Sequence, residues 1–209
     1  MKKILFMGDS ITDAERTTTG CGQELGCGYA RLVSAHLGYK YPGEYEFVNR
    51  GINGNRIVDL YARIKGDVIC HAPDYMSILI GVNDVWHDLE KNPNGVDPDK
   101  FYKVYDMFIS EIKEALPNIK LMILLPFVLK ASATEDNMDF FNAEVPKRAE
   151  MAKKIGEKYN IPVIELQSGF DALCEKTEPS YWLYDGVHPS YAGHEFIKTK
   201  WLECFEEIK

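Results

Sequence analysis

A three-layer α/β/α sandwich around a five-stranded parallel sheet is the fold this sequence predicts, and two observations predict it. Five short apolar runs recur along the chain, at Lys3–Met7, Glu46–Asn49, Tyr75–Gly81, Lys120–Leu125 and Pro162–Leu166. The segments between them place apolar residues at helical spacing, as crossover helices between parallel strands do.

The first run, Ile4-Leu5-Phe6-Met7, stops at Gly8-Asp9, too soon for the apolar core of a secretory leader, so it reads as a strand. Tyr29, Leu32, Val33, His36 and Leu37 share one helix face before the second strand, and Leu60, Tyr61, Ile64 and Val68 do so before the third. Phe101, Tyr105, Phe108, Ile109, Ile112 and Leu116 mark a helix that Pro117 ends. Val145, Ala149, Ala152, Ile155 and Tyr159 mark another, ending before Ile161-Pro162, and Phe196, Ile197, Trp201, Phe205 and Ile208 form a closing amphipathic helix. Thr17–Gly28 and Lys130–Glu144 read as long loops, a length that in compact domains points to function or mobility. Five βα units without an internal repeat or low-complexity linker predict one domain over residues 1–209, with flavodoxin-like strand order.

Composition narrows the partners. Against 32 Asp+Glu stand 24 Lys+Arg, a net charge of -8, and no basic cluster interrupts this balance, which disfavours nucleic-acid and anionic-lipid partners. No window approaches the roughly 20 apolar residues of a membrane span. Cys21, Cys27, Cys70, Cys174 and Cys204 are odd in number, scattered and free of Cys-x-x-Cys pairs, so reduced thiols in a cytoplasm are expected rather than disulfides or a zinc site. The histidines show no zinc-ligand spacing: His36 and His71 read as packing or capping residues, His194 as structural, and His87 as a residue at the rim of any site built on Asn83. Gly26-Cys27-Gly28 begins a dinucleotide fingerprint, but Arg31 stands at its final glycine, and no strand precedes it.

Chemistry concentrates in four short segments. Ser10, in Gly8-Asp9-Ser10-Ile11, follows the first strand, where open parallel sheets place ligands; alone it is either a helix cap or a nucleophile. Asn83 of Gly81-Val82-Asn83-Asp84 follows the third strand and offers a side-chain amide N–H. Gly54, in Asn49-Arg50-Gly51-Ile52-Asn53-Gly54-Asn55, lies in a turn that lets backbone approach a ligand closely. Asp185-Gly186-Val187-His188 puts a carboxylate three residues from an imidazole, close enough for the carboxylate to hold the ring. Each segment alone fits a turn or cap. Together and in this order they form a nucleophile (Ser10), base (His188) and orienter (Asp185), with an oxyanion hole from the Ser10 N–H, the Gly54 N–H and the Asn83 side chain.

With those residues in place, the chain resembles the SGNH hydrolase superfamily, also called the GDSL esterase/lipase family, over essentially its whole length. Gly8-Asp9-Ser10-Ile11-Thr12 matches the nucleophile block, Asn49 to Asn55 the block whose second glycine donates to the oxyanion, Gly81 to Asp84 the Gly-x-Asn-Asp block, and Asp185 to His188 the Asp-x-x-His block. Ile11 replaces the leucine of the short motif. Within the superfamily the four segments are most similar to bacterial acetylxylan and acetyl-xylooligosaccharide esterases, although Arg56 stands where such sequences often carry a smaller residue, at the pocket mouth or facing solvent. The resemblance implies a shallow site for small ester substrates and neither metal nor organic cofactor. Trp86, Trp182 and Tyr184 flank the catalytic segments and are candidate sugar-stacking or core residues. The expected activity is hydrolysis of small O-acyl esters of carbohydrates, O-acetyl foremost, through a Ser-His-Asp acyl-enzyme. The expected ligand is a small acylated substrate such as an acetylated oligosaccharide, and homo-oligomerisation is left open. The alternatives are a short-chain carboxylesterase, thioesterase or lysophospholipase on the same triad, and a catalytically silent carbohydrate-binding module.

Overall fold

Strands β1 (Lys2–Gly8), β2 (Tyr45–Gly51), β3 (Tyr75–Leu79), β4 (Lys120–Leu124) and β5 (Val163–Ile164) form one parallel sheet in the order β2-β1-β3-β4-β5. This is the flavodoxin-like order expected. The computed structural model describes residues 1–18, 20 and 22–209. Cys21 therefore lies outside the described residues, as does part of the expected loop 17–28; Cys27, Cys70, Cys174 and Cys204 are free thiols. The connections carry helices α1 (Ser10–Asp13), α2 (Tyr29–Lys40), α3 (Ile57–Ala62), α4 (Ile64–Asp67), α5 (Asn83–Trp86), α6 (Pro98–Ala115), α7 (Met138–Tyr159), α8 (Gln167–Cys174), α9 (Pro179–Trp182) and α10 (Tyr191–Ile208). Among the described residues no helix is long and apolar enough to cross a membrane.

Strand alternation splits the core into two. Ile4 and Phe6 of β1 pack with Tyr29, Val33 and Leu37 of α2 and with Ile197, Trp201 and Phe205 of α10. Leu5 and Met7 face the opposite side, against Leu60 of α3, the Phe101–Ile112 stripe of α6, and Ala152 and Ile155 of α7. Both faces of the sheet are covered, which is why its strands read as continuous apolar runs rather than alternating ones.

Register then places the site. Gly8 of β1 lies opposite Gly51 of β2 on one side and Leu79 of β3 on the other, so three strands end level. Ser10, Gly54 and Asn83 follow those ends by two to four residues. Close approach is built in at Gly51, where a Cβ would stand 2.2 Å from the Asp13 nitrogen. Arg63 sutures the same edge by donating to the carbonyls of Gly8 (3.2 Å) and Arg50 (2.8 Å) and to Asn55 Oδ1 (2.8 Å). That anchoring interrupts the expected Leu60–Val68 helix, which is two short helices meeting at Arg63.

Two further expectations change. His36 is exposed, because the buried stripe of α2 runs through Tyr29, Ala30, Val33 and Leu37, and a 100° step per residue puts position 36 at its margin. The expected loop 130–144 gives way to helix from Met138, which continues through Pro146. Proline removes the bond to the Asn142 carbonyl, but Asn142 and Pro146 are both exposed, so water can satisfy that group. Ser190 caps α10, accepting from the Gly193 N–H at 3.2 Å, and Asp97 caps α6 ahead of Pro98.

Candidate active site

Asp9, not Ser10, caps α1: its Oδ1 accepts from the Ile11 N–H at 3.0 Å. The Ser10 hydroxyl is left for another partner and lies 2.8 Å from His188 Nε2. His188 Nδ1 lies 2.7 Å from Asp185 Oδ2. An ionised carboxylate only accepts, so Nδ1 carries the proton and donates it, and Nε2 is the acceptor facing the hydroxyl. Asp185 Oδ1 accepts from the backbone N–H of Val187 (2.9 Å) and of His188 (2.8 Å), which closes the short turn.

Electrostatics follow from these contacts. Burial pushes the Asp185 carboxyl up, but the bonds from the His188 ring and the two backbone N–H groups outweigh it and hold the carboxyl below its usual range. The His188 imidazole is raised above its ordinary 6.5, chiefly by the hydrogen bond to Asp185, with burial opposing. His194, buried beside it, is lowered to about 4 by burial and then by His188; it is neutral, and its Nδ1 accepts from the Tyr29 N–H at 3.2 Å.

The donors expected at the oxyanion lie around the same cleft. Gly54 has φ +74°, in the left-handed region that favours glycine. Asn83 is buried, and its Nδ2 donates to the Asn55 carbonyl at 3.1 Å, which fixes the amide plane and leaves its second N–H unused by that bond. The Ser10 N–H is at the first turn of α1, where helices lack an internal partner for the amide. Gly54, Asn83, Ser10 and His188 all line one open cleft of about 480 Å³, together with Ile11, Glu15, Trp86, His87 and Tyr184.

Of the three candidate stacking residues, the structure brings two to the cleft. Tyr184 lies over the His188 ring, with centroids 5.8 Å apart and planes at 19°, and Trp86 approaches from elsewhere with its centroid at 6.3 Å. Trp182 does not line the cleft: its indole N–H donates to the Leu173 carbonyl of α8 at 3.1 Å. Trp182 is the last residue of α9, which packs against α8, whereas Tyr184 lies past the helix end beside the bridge between Leu183 and Pro189, so the two aromatics have different surroundings. Arg56 is also outside the cleft, half-buried at the start of α3, where its guanidinium holds Asp59 and the Asn94 carbonyl. His87 does rim the site.

One supporting group was missed from the sequence. Thr134 is fully buried, and a β-carbon at Gly186 (φ +101°) would stand 2.3 Å from its hydroxyl. Its segment braces the Asp185–His188 turn through the Leu129 N–H to the Gly186 carbonyl (2.8 Å) and the Ala133 N–H to the Asp185 carbonyl (2.9 Å). These partners lie some fifty residues apart in the chain, and nothing local in either segment announces the pairing.

Asp84 follows Asn83 in the chain. Fully buried, it accepts from the Ile57 N–H at 3.0 Å, and burial pushes its carboxyl up to about 8. Between the unfolded value of 3.8 and about 8 the folded chain holds a proton that the unfolded chain has released, so stability falls as pH rises through that window. Asp84→Asn keeps an acceptor for Ile57 without the titration. Its melting temperature is expected to approach that of the wild type near pH 4 and to exceed it by about 5 °C at pH 9. Calorimetric scans at both pH values check this, and a gap that narrows on going alkaline refutes it.

The fold and this geometry are those of a hydrolase acting on acyl groups, and the chain belongs to the GDSL-like Lipase/Acylhydrolase family, which matches residues 6–196. More particularly, it is an esterase 33% identical over 207 residues to the acetylxylan esterase of Geobacillus stearothermophilus, a match covering 96% of this chain and 92% of that one. The structure of Axe2, an acetylxylan esterase from Geobacillus stearothermophilus, superposes with a TM-score of 0.85 at 31% identity, over 97% of this chain and 93% of Axe2. A candidate GDSL-like lipase from Parabacteroides merdae superposes with a TM-score of 0.92 at 32% identity, over 98% and 95% of the two chains. Among the Axe2 structures are catalytic mutants, one with a serine and one with an aspartate replaced by alanine.

Proposed function

We propose that this esterase removes small O-acyl groups, acetyl foremost, from carbohydrate esters through a covalent acyl-enzyme on Ser10. The observation that carries the reading is the continuous chain from Ser10 Oγ through His188 to Asp185, at 2.8 and 2.7 Å, opening directly into the cleft. His188 Nε2 takes the Ser10 proton as Oγ attacks the ester carbonyl. The Ser10 and Gly54 N–H groups and the Asn83 amide stabilise the oxyanion. His188 then returns the proton to the departing alcohol, and water repeats the sequence to free the acid.

The cleft supports the substrate class. Its lining mixes amides, imidazoles and carboxylates (Asn53, Asn83, His87, His188, Glu15, Glu90) with the aromatic faces of Trp86 and Tyr184. Among the described lining residues none is Lys or Arg, which suits a neutral polyol ester better than an anionic one. Serine-to-alanine and aspartate-to-alanine catalytic mutants of an acetylxylan esterase with the same fold lend weight to both the mechanism and the substrate. The test is a panel of aryl esters from acetyl to dodecanoyl run beside acetylated xylo-oligosaccharides. A sharp acetyl preference with release of acetate from the oligosaccharides is expected, and a preference for octanoyl or longer chains would sink the proposal.

A further inference from the structure

Directly after α1 the chain takes two consecutive left-handed residues that are not glycine, Ala14 (φ 45°) and Glu15 (φ 59°). Residues bearing a β-carbon rarely adopt this geometry, and it persists where surroundings over-determine it. Here the Cys27 N–H donates to the Ala14 carbonyl at 2.8 Å and the Arg16 N–H to the Asp13 carbonyl at 3.0 Å. Gly26 (φ +73°) passes so close that a β-carbon there would stand 2.4 Å from the carbonyl oxygens of Asp13 and Ala14.

The turn carries Glu15, exposed, onto the cleft wall beside Cys27 and Tyr184. Its carboxylate has no ion pair among the described residues, because the neighbouring Arg16 is committed elsewhere: its Nε donates to the Gly51 carbonyl at 2.7 Å and lies 3.7 Å from Asp13 Oδ2. The Tyr184 phenol is pushed up by burial first and then by the charges of Asp185 and Glu15, which places Glu15 within electrostatic reach of that ring. Tyr184 in turn stacks on His188.

Chemistry then assigns the side of the cleft. The group that protonates the departing alcohol must reach its oxygen, so the alcohol half of the ester lies on the His188 side of Ser10, opposite the oxyanion donors. Tyr184 and Glu15 flank that side.

We propose that Glu15 is a specificity-determining residue for the alcohol half of the substrate, its carboxylate accepting hydrogen bonds from hydroxyl groups next to the scissile ester while the Tyr184 ring covers the adjoining carbon face. The alcohol selected is a neutral polyol. This assignment rests on the ester hydrolysis proposed above but not on any one polysaccharide.

The experiment compares kcat/KM for glycerol monoacetate, which carries hydroxyls beside the ester, with kcat/KM for propyl acetate, which carries none. In Glu15→Ala the ratio of the two is expected to fall about ten-fold, as for the loss of a hydrogen bond to a charged acceptor. In Glu15→Gln, which keeps an acceptor oxygen but not the charge, it is expected to fall by a smaller factor. Taking the ratio within each variant removes differences in folded fraction. A ratio unchanged in both variants overturns the role of Glu15 while leaving the esterase reading intact. Failure of the wild type to turn over either acetate overturns both.

Discussion

Ser10→Ala is expected to lower kcat on 4-nitrophenyl acetate by about 10⁶-fold, the scale seen when a serine nucleophile is removed from a working triad. The geometry makes this variant a clean test. Because Asp9 caps α1, the Ser10 hydroxyl is not needed to satisfy the helix end, and its removal takes away one hydrogen-bond partner, His188 Nε2. The alanine chain is therefore expected to melt within about 2 °C of the wild type, since a substitution that leaves packing and caps alone costs about 0.5 kcal/mol or less. A fluorophosphonate probe is expected to label the wild type and not the variant. Wild-type turnover in Ser10→Ala, or probe attachment at another residue, would show that the 2.8 Å contact is structural and that a different group attacks the ester.

The contrast between cap and nucleophile also shows what the sequence could and could not reveal. Asp9 and Ser10 both suit a helix N-terminus, and only coordinates decide which oxygen faces Ile11. The strands and the four candidate site segments were legible because each is a local signal: an apolar run, a Ser10, Gly54 or Asn83 two to four positions beyond the end of one, or the three-residue spacing of Asp185 and His188. Thr134 was not, because its work is to fill the space under Gly186, a contact between segments with no shared periodicity. Nor was the strained Ala14-Glu15 turn, since neither residue type favours left-handed backbone, and the cause lies in Gly26 and Cys27 packing from a later loop. Trp182 and Tyr184 carry the same sequence argument for sugar stacking, yet Trp182 ends α9 and points toward α8 while Tyr184, past the helix end, stacks on His188. Adjacency in the chain could not separate them, because which of the two belongs to a helix is set where α9 ends, at Leu183.

Asp185→Asn is expected to lower kcat/KM by about 10⁴-fold and to shift its acid limb toward lower pH. Two of the three bonds that Asp185 accepts run through Oδ1 to the backbone of Val187 and His188, and an asparagine oxygen can keep both, so the turn survives. The third, to His188 Nδ1, is where the variants part. An asparagine N–H₂ in that position donates to Nδ1 and leaves the proton on Nε2, facing Ser10, where it cannot accept the hydroxyl proton. The pH dependence has a definite sign. In the wild type the bond to Asp185 is the main cause that raises His188 above 6.5, so the base is lost to protonation at a midpoint above 6.5 as pH falls. Without the carboxylate, burial, which opposes that rise, dominates, and the midpoint is expected to drop. The nearby Asp9 carboxyl, itself pushed up to about 7 by burial, also raises His188 and remains in the variant, so the drop is expected to be partial. Profiles of kcat/KM from pH 5 to 9 for both proteins measure the two effects together. A slow variant whose acid limb stays in place would mean that Asp185 holds the turn but does not set the charge of His188, and the base would then have to be assigned anew.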